Sequence, residues 1–379
     1  MKICLTLFIL LHLVSQFSYA QIFVSGQASA SYLQSGEALS RYTVNEGRGT
    51  FAWRLDVFAD AIISENLKFY SNIRITEEQR LNIDLLKLRV TDIAGLGLNA
   101  NIGKIFIPFG SLGERRYPKQ NPFFHLPLMN EHITTLALSD YSLHTLDPMQ
   151  VISGNGFRLL DYGLYDAGIS LDGSVGKIEY ALALINGAVS ATSSYTASGL
   201  NNNQGFGSVA HIAYVPSEEF SLGGSFGYGP FISENNPQGE DPNHYPQRIT
   251  GIDISYSLGY FSFFGEAIYN NWMFDDEPDL NAFAYSAEIH YTIIPRILCA
   301  VRVGGIRFNE ITADVYSQDG TYGTYTGTWD DIVVRYETAL QYRIEKDALI
   351  KLVYEIYSTY GNFGDPSDNL LVLQTVFGF

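Results

Sequence analysis

Apolar and polar residues alternate with a period of two along most of this chain, in segments of about ten residues or more. In residues 49–62, Phe51 and Trp53 share one face while Arg54 and Asp56 share the other. This alternation is the signature of a β-strand with one apolar and one polar face. The segments are longer than the usual strand of ~5–6 residues, which favours a membrane barrel over a soluble sandwich.

Sixteen segments of this kind can be counted, with fourteen and eighteen left open as alternative counts. Short connections such as 64–66 and 172–174 alternate with longer ones such as 34–48 and 187–203. Short turns at one end, long loops at the other and an even strand number are typical of bacterial outer-membrane barrels. The sequence therefore predicts an all-β, transmembrane, antiparallel up-and-down β-barrel of about 16 strands.

The first twenty residues have the features of an export signal. Lys2 precedes an apolar run over residues 3–14, and Ser18-Tyr19-Ala20 forms a small-x-small cleavage site. We expect residues 1–20 to be a signal peptide and residues 21–379 to form one barrel domain. After Ala20 no apolar run approaches the ~20 residues that a membrane helix requires, and the net charge of −17 argues against nucleic acid as a partner.

The longest connection follows the fifth segment, over residues 109–162. Loops of this length inside a compact domain are usually functional. We predict that this third outer loop folds into the lumen and sets the width and charge of the bore. The candidate constriction residues on it are Glu114, Arg115, Arg116, Lys119 and Glu131. Whether the arginines attract anions or clamp the loop to the wall is left open.

Alternation also assigns the inner face of the barrel, which sixteen strands leave wide enough for water. It predicts a basic stripe on three successive strands, while acidic inner positions (Glu179, Asp253, Glu266 and Glu288) lie mostly elsewhere. Opposite charges on facing walls would set a transverse field and tune selectivity. The predicted pore-lining residues are Arg54, Lys68, Arg74, Lys87 and Arg89.

The run Gly-Lys-Ile-Phe-Ile-Pro-Phe-Gly at 103–110 resembles the phosphate-selective porin O/P family. A third loop folded into a sixteen-stranded barrel also resembles the general bacterial porins. The resemblance implies a channel in the cell outer membrane, surrounded by lipid, that passes small polar solutes or ions by diffusion. It further implies a homotrimer. Phosphate selectivity does not carry over, because the chain is acidic and has no repeated lysines in a matching loop.

The alternative is a barrel that binds a partner through outer loops such as 187–203 and 309–328. A dedicated transporter would need a plug domain or an apolar bore, and the sequence shows neither. The spacing of His125, His132 and His144 matches no compact metal signature. His290 near Ser286 is a weak basis for nucleophilic catalysis. We therefore expect no metal, no cofactor and no enzymatic activity.

Overall fold

The computed structural model describes residues 21–36, 49–77, 81–137, 156–160, 163–190, 205–232, 241–274, 278–316, 322–361 and 368–379. The predicted signal peptide lies outside the described residues. Besides three 3-10 turns, the described residues form twenty strands and one short α-helix. In chain order these are β1 (Gln21–Ser35), β2 (Gly49–Ser64), β3 (Leu67–Thr76), β4 (Leu81–Val90), β5 (Asn99–Phe106), α1 (Leu128–Glu131), β6 (Ile133–Ala137), β7 (Gly156–Arg158), β8 (Tyr165–Val175), β9 (Ile178–Ile185), β10 (Gly207–Ser217), β11 (Phe220–Pro230), β12 (Pro246–Leu258), β13 (Phe261–Trp272), β14 (Leu280–Ile294), β15 (Ile297–Phe308), β16 (Glu310–Tyr316), β17 (Tyr322–Thr328), β18 (Ile332–Glu345), β19 (Ala348–Tyr360) and β20 (Asp368–Gly378).

Sixteen of these strands close into one antiparallel barrel. The order around it is β1 to β5, β8 to β15 and β18 to β20. Closure joins the first and last strands, with Gln27 opposite Gly378 and Ser35 opposite Leu370. The Gly26 amide donates to the Phe379 carbonyl at 2.9 Å. The predicted fold and the count of sixteen are confirmed, and the counts of fourteen and eighteen are excluded.

The faces of the strands alternate as the sequence predicted. In β18, Tyr336 and Leu340 are exposed on the outer surface, whereas Arg335 and Glu337 are buried on the inner face. The same outward apolar pattern recurs around the barrel, and backbone pairing leaves no open edge between strands. A closed barrel with an apolar exterior satisfies the backbone within a bilayer. Among the described residues, no helix is both long and apolar enough to cross a membrane.

Two small two-stranded sheets lie outside the barrel order. The first joins β6 to β7 inside the long third connection. The second is a hairpin of β16 and β17, which occupies the segment predicted as the loop 309–328. We refer below to the end of the barrel that carries the long connections as the loop end, and to the opposite end as the turn end.

A large apolar core fills part of the lumen towards the loop end. Inward-facing Ile249, Ile268 and Ile306 pack there against residues of the long third connection, including Phe109 and Leu128. Glycine makes room for this packing: a methyl group at Gly251 would lie 3.1 Å from the Phe109 ring, and one at Gly304 would lie 3.2 Å from Leu128. The prediction that the bore is not apolar is wrong at this end of the barrel.

Candidate channel constriction

The first part of the third connection, residues 107–132, runs inside the barrel; we call it the inner loop. The Gly110 amide donates to Ser225 Oγ on β11 at 2.9 Å. Further along, the Lys119 amide donates to Gln27 Oε1 on β1 at 3.0 Å. Ser225 and Gln27 face inward on their strands, so the inner loop crosses the lumen between distant parts of the wall.

A buried network of ion pairs holds one side of the inner loop. Arg302 on β15 contacts Glu337 on β18 at 2.5 Å and Glu288 on β14 at 3.3 Å. Arg335 on β18 contacts Glu337 at 3.2 Å and Glu131 of the inner loop at 3.1 Å. The two arginines and Glu337 are almost completely buried. Charges are tolerated at such depth only when each has partners, and this network supplies them.

Strands β15, β18 and β19 also donate hydrogen bonds to the backbone of the inner loop. Arg302 Nη2 donates to the carbonyl of His125 at 2.7 Å and to that of Leu126 at 3.2 Å. Arg335 donates to the Leu126 carbonyl as well. Lys351 on β19 donates to the carbonyl of Asn121 at 2.7 Å and to that of Pro118. Three buried cations therefore hold the path of the main chain as well as its side chains.

His125 adds a neutral contact to this attachment. Its Nδ1 lies 2.7 Å from Glu355 Oε2 on β19. Burial lowers the pKa of His125 to about 4, although the nearby carboxylate of Glu131 opposes this shift. The imidazole is thus neutral near pH 7, and its Nδ1–H donates to the carboxylate of Glu355. A protonated His125 would place an additional charge in a buried site, so acid should weaken this side of the loop.

Tyr117 carries the inner loop across to the opposite wall. Its ring packs edge-on against Phe58 of β2, with 5.2 Å between ring centroids. The Tyr117 hydroxyl accepts from Asn72 Nδ2 at 3.4 Å and lies 3.1 Å from the hydroxyl of Tyr165. Burial raises the pKa of the Tyr117 phenol above its usual range, so the hydroxyl remains neutral. Tyr117 therefore connects the inner loop to this side of the barrel wall.

The two predicted arginines of the inner loop have different surroundings. Arg115 contacts Glu288 at 3.2 Å and lies over the Phe264 ring, 4.1 Å from its centroid. Arg116 stacks on the Phe106 ring, 3.5 Å from its centroid, and its Nε donates to the Gly113 carbonyl at 2.6 Å. Among the described residues, no carboxylate forms an ion pair with Arg116. Arg115 thus clamps the loop, whereas Arg116 keeps its charge available.

The remaining candidate residues of the inner loop occupy three positions. Glu131 accepts from the Leu126 amide at 2.8 Å and belongs to the buried network. Lys119 reaches the turn end, where its Nζ lies 2.6 Å from Asp347 Oδ1, and this hydrogen bond lowers the pKa of Asp347. Glu114 is exposed and lines a chamber of about 600 Å³ that also includes Asp60 and Lys119.

The five predicted pore-lining residues lie on the inner face of β2, β3 and β4, but they do not form a purely basic stripe. Three are paired with carboxylates, and Lys87 lies over the Tyr70 ring at 5.5 Å. Lys68 stands opposite Arg89 in the ladder. The pairs are Arg54 with Asp56 at 2.8 Å, Arg74 with Asp84 at 3.1 Å, and Arg89 with Asp172 at 2.6 Å.

The prediction that inner acidic residues lie mostly elsewhere is therefore wrong for this wall. The ladder between β3 and β4 shifts register next to Asn72, and Asp84 lies in the shifted part, where it meets Arg74. Asp172 comes from β8, whose neighbour in the barrel is β5 rather than the strand that follows in the sequence. Asn101 of β5 bonds both Arg89, at 3.1 Å, and Asp172, at 2.8 Å.

The predicted acidic positions occupy inner faces of other strands. Glu288 belongs to the buried network, while Asp253 and Glu266 stand opposite each other on β12 and β13. His211 lies near this pair, with its Nδ1 2.9 Å from Ser225 Oγ and 3.8 Å from Asp253. Glu179 lies on β9, near the turn end.

The histidines considered as metal ligands are dispersed. His125 contacts Glu355, His132 Nδ1 lies 3.1 Å from the Tyr357 hydroxyl, and His144 is outside the described residues. The described part of the chain has no group of three or more side chains that could hold a metal ion.

Known proteins resemble this chain in structure but not in sequence. No family model and no curated protein matches the chain. An anion-selective porin from Comamonas acidovorans superposes with a TM-score of 0.62 at 9% identity, over 95% of this chain and 100% of that one. The outer membrane channel DcaP of Acinetobacter baumannii gives 0.57 at 12%, over 95% and 97%. OmpT, an outer membrane protein of Vibrio cholerae, gives 0.57 at 11%, over 95% and 98%.

At such low identities the likeness concerns the fold. The closed barrel of sixteen antiparallel strands is the fold of the bacterial porins, and the apolar exterior suits an outer membrane. The chain thus has the porin-type β-barrel fold. The kinship with the phosphate-selective porin O/P family, based on residues 103–110, has no support from these comparisons.

Proposed function

We propose that this protein is an outer-membrane channel through which small hydrophilic solutes or ions diffuse passively. The observation that carries the proposal is the inner loop, which is anchored inside a closed barrel with polar chambers on both of its sides. The chamber towards the turn end has a volume of about 600 Å³. The chamber towards the loop end has a volume of about 170 Å³ and includes Arg54 and Glu77 in its lining.

The selectivity of this channel would come from the gap between the inner loop and the wall of β2 to β5. Arg116 and Glu114 present charge from the loop side. Lys68 and Lys87 present charge from the wall, where Arg54, Arg74 and Arg89 are balanced by their carboxylate partners. We further propose that the channel is a homotrimer related to the porin O/P family. In this proposal it has no enzymatic activity and needs no cofactor.

Recording from the refolded protein in planar bilayers tests the channel. We expect steady conductance steps, and a reversal potential in a salt gradient that shifts towards cations in Arg116→Ala. Arg115→Ala should shift it less, because Arg115 is already paired with Glu288. Arg248→Ala is the matched control, since Arg248 is exposed next to outward-facing Tyr228. A folded protein without conductance steps would contradict the proposal.

The second candidate function is a surface platform that binds a partner through its outer loops. Two observations favour it: the apolar core that occupies the lumen towards the loop end, and the hairpin of β16 and β17 outside the barrel order. The bilayer recording separates the two functions. Deletion of residues 310–328 should leave conductance unchanged in a channel, and should abolish partner binding in a platform.

A further inference from the structure

A third chamber also lies at the turn end, where the inner loop separates it from the chamber of about 600 Å³ described above. It is enclosed by the tip of the inner loop and by β14, β15, β18 and β19, and its volume is about 350 Å³. Four basic side chains line it: Lys119, His290, Arg343 and Lys346. None of its lining residues is acidic. This lining differs from that of the larger chamber, where Asp60 and Glu114 are present.

Two of these four basic groups already have carboxylate partners. Lys119 is paired with Asp347 at 2.6 Å, and His290 Nε2 lies 2.5 Å from Glu288 Oε1. Arg343 and Lys346 are exposed, and neither forms an ion pair with a carboxylate of the described residues. A guanidinium group binds a carboxylate through two parallel hydrogen bonds, and a nearby ammonium group adds charge. Arg343 and Lys346 therefore offer a site for an anion.

The floor of the same chamber is apolar. Leu298 and Leu349 face inward from β15 and β19, and Pro122 of the inner loop lies beside them. An inorganic anion would leave this surface in contact with water. An organic anion would cover it with its hydrocarbon part, which is favourable in proportion to the apolar area removed from water. Binding sites commonly combine such apolar walls with a few polar groups that orient the ligand.

We infer that this chamber binds small organic acids. The carboxylate would lie against Arg343 and Lys346, and the hydrocarbon part would lie against Leu298, Leu349 and Pro122. The inference names a solute class for the proposed channel, and its meaning for transport rests on that proposal. The binding itself depends only on the folded barrel, so it can be tested separately from conductance.

The test is calorimetric titration of the full-length, detergent-solubilised barrel with benzoate, acetate, benzamide and inorganic phosphate. We expect benzoate to bind about tenfold more tightly than acetate because its ring covers the apolar floor. Benzamide has the same shape without the charge and should bind at least about tenfold more weakly than benzoate. Phosphate should also bind more weakly than benzoate.

The variant Arg343→Gln with Lys346→Gln should weaken benzoate binding about tenfold or more. Arg248→Gln with Lys177→Gln removes the same charge outside the chamber and should leave binding unchanged. Equal losses in both double variants, or equal affinity for benzoate and benzamide, would overturn the inference. Tighter binding of phosphate than of benzoate would overturn the organic class. If benzoate binds but bilayers show no conductance, the proposed channel fails while this inference stands.

Discussion

The wall formed by β14, β15, β18 and β19 and the wall formed by β2 to β5 carry similar charged residues in different environments. In the first wall, the side chains of Arg302 and Glu337 are each 1% exposed. In the second, the side chain of Arg89 is 23% exposed, and that of its partner Asp172, on adjacent β8, is 29% exposed. Electrostatic interactions are strong where water is excluded and weak where it enters. The first wall therefore fixes the inner loop, and the second leaves its charged groups accessible to water.

The largest expected effect is from Arg302→Ala in the buried wall. The substitution leaves Glu337 and Glu288 with fewer partners and releases the carbonyls of His125 and Leu126. Breaking a buried pair in this way costs about 3–5 kcal/mol. Urea unfolding followed by tryptophan fluorescence should show that loss. Arg89→Ala, in the exposed wall, is the matched control and should cost at most about 1 kcal/mol. Equal losses would remove the distinction between the walls.

The next effect is a pH dependence carried by His125. Its pKa is about 4 in the folded state and about 6.5 in the unfolded chain. Between these values the unfolded chain binds a proton that the folded state does not. The stability contribution of His125 is thus complete above pH 6.5 and is lost as pH falls to about 4, by about 3 kcal/mol in total.

Unfolding titrations at several pH values measure this dependence. The variant His125→Gln keeps a hydrogen-bond donor for Glu355 but does not titrate. The stability difference between wild type and variant should therefore change between pH 6.5 and 4 and remain constant above pH 7. A difference that does not depend on pH would show that His125 has the same pKa in the folded and unfolded states, and would contradict the prediction.

Tyr117 joins the two walls and gives a smaller effect. Tyr117→Phe removes the hydroxyl that contacts Asn72 and Tyr165 but keeps the ring against Phe58, so stability should fall by about 1 kcal/mol. Tyr117→Ala also removes the ring and should raise single-channel conductance above that of Tyr117→Phe. If the two variants conduct equally, Tyr117 does not narrow the path.

The smallest effect concerns balanced charge on the exposed wall. The double variant Arg89→Gln with Asp172→Asn removes one positive and one negative group, so its ion preference should stay unchanged and its stability should fall by at most about 1 kcal/mol. Lys68→Gln removes one positive charge alone and should shift the reversal potential towards cations. Equal shifts in the two variants would mean that the pair does not act as a neutral unit.

Period-two alternation was sufficient to predict the sixteen barrel strands and their faces, but not the strand pairs β6–β7 and β16–β17. It placed Arg54, Arg74 and Arg89 on the inner surface because side-chain direction depends only on position along a strand. It could not predict their partners. Asp84 meets Arg74 beside a shift in strand register, and Asp172 lies 83 residues from Arg89 in the sequence. Both contacts depend on how strands pair, which alternation does not specify.

The wall formed by β14, β15, β18 and β19 could be predicted in part from the sequence. Arg335 and Glu337 can be assigned to an inner face from the sequence, and Arg302, Lys351 and Glu355 occupy corresponding positions on the neighbouring strands. Oppositely charged inward residues on adjacent strands are the signal that could have indicated a buried network. The apolar core was harder to foresee, because inward-facing members such as Ile268 and Ala284 alternate with outward residues that are also apolar.

The wall holds the inner loop largely through carbonyl oxygens, which Arg302, Arg335 and Lys351 contact at Pro118, Asn121, His125 and Leu126. Every amino acid supplies a carbonyl, so this attachment tolerates a change of side chain at the loop. Evolution can therefore vary what the loop displays at positions such as Glu114 and Arg116 while the route of the chain stays the same.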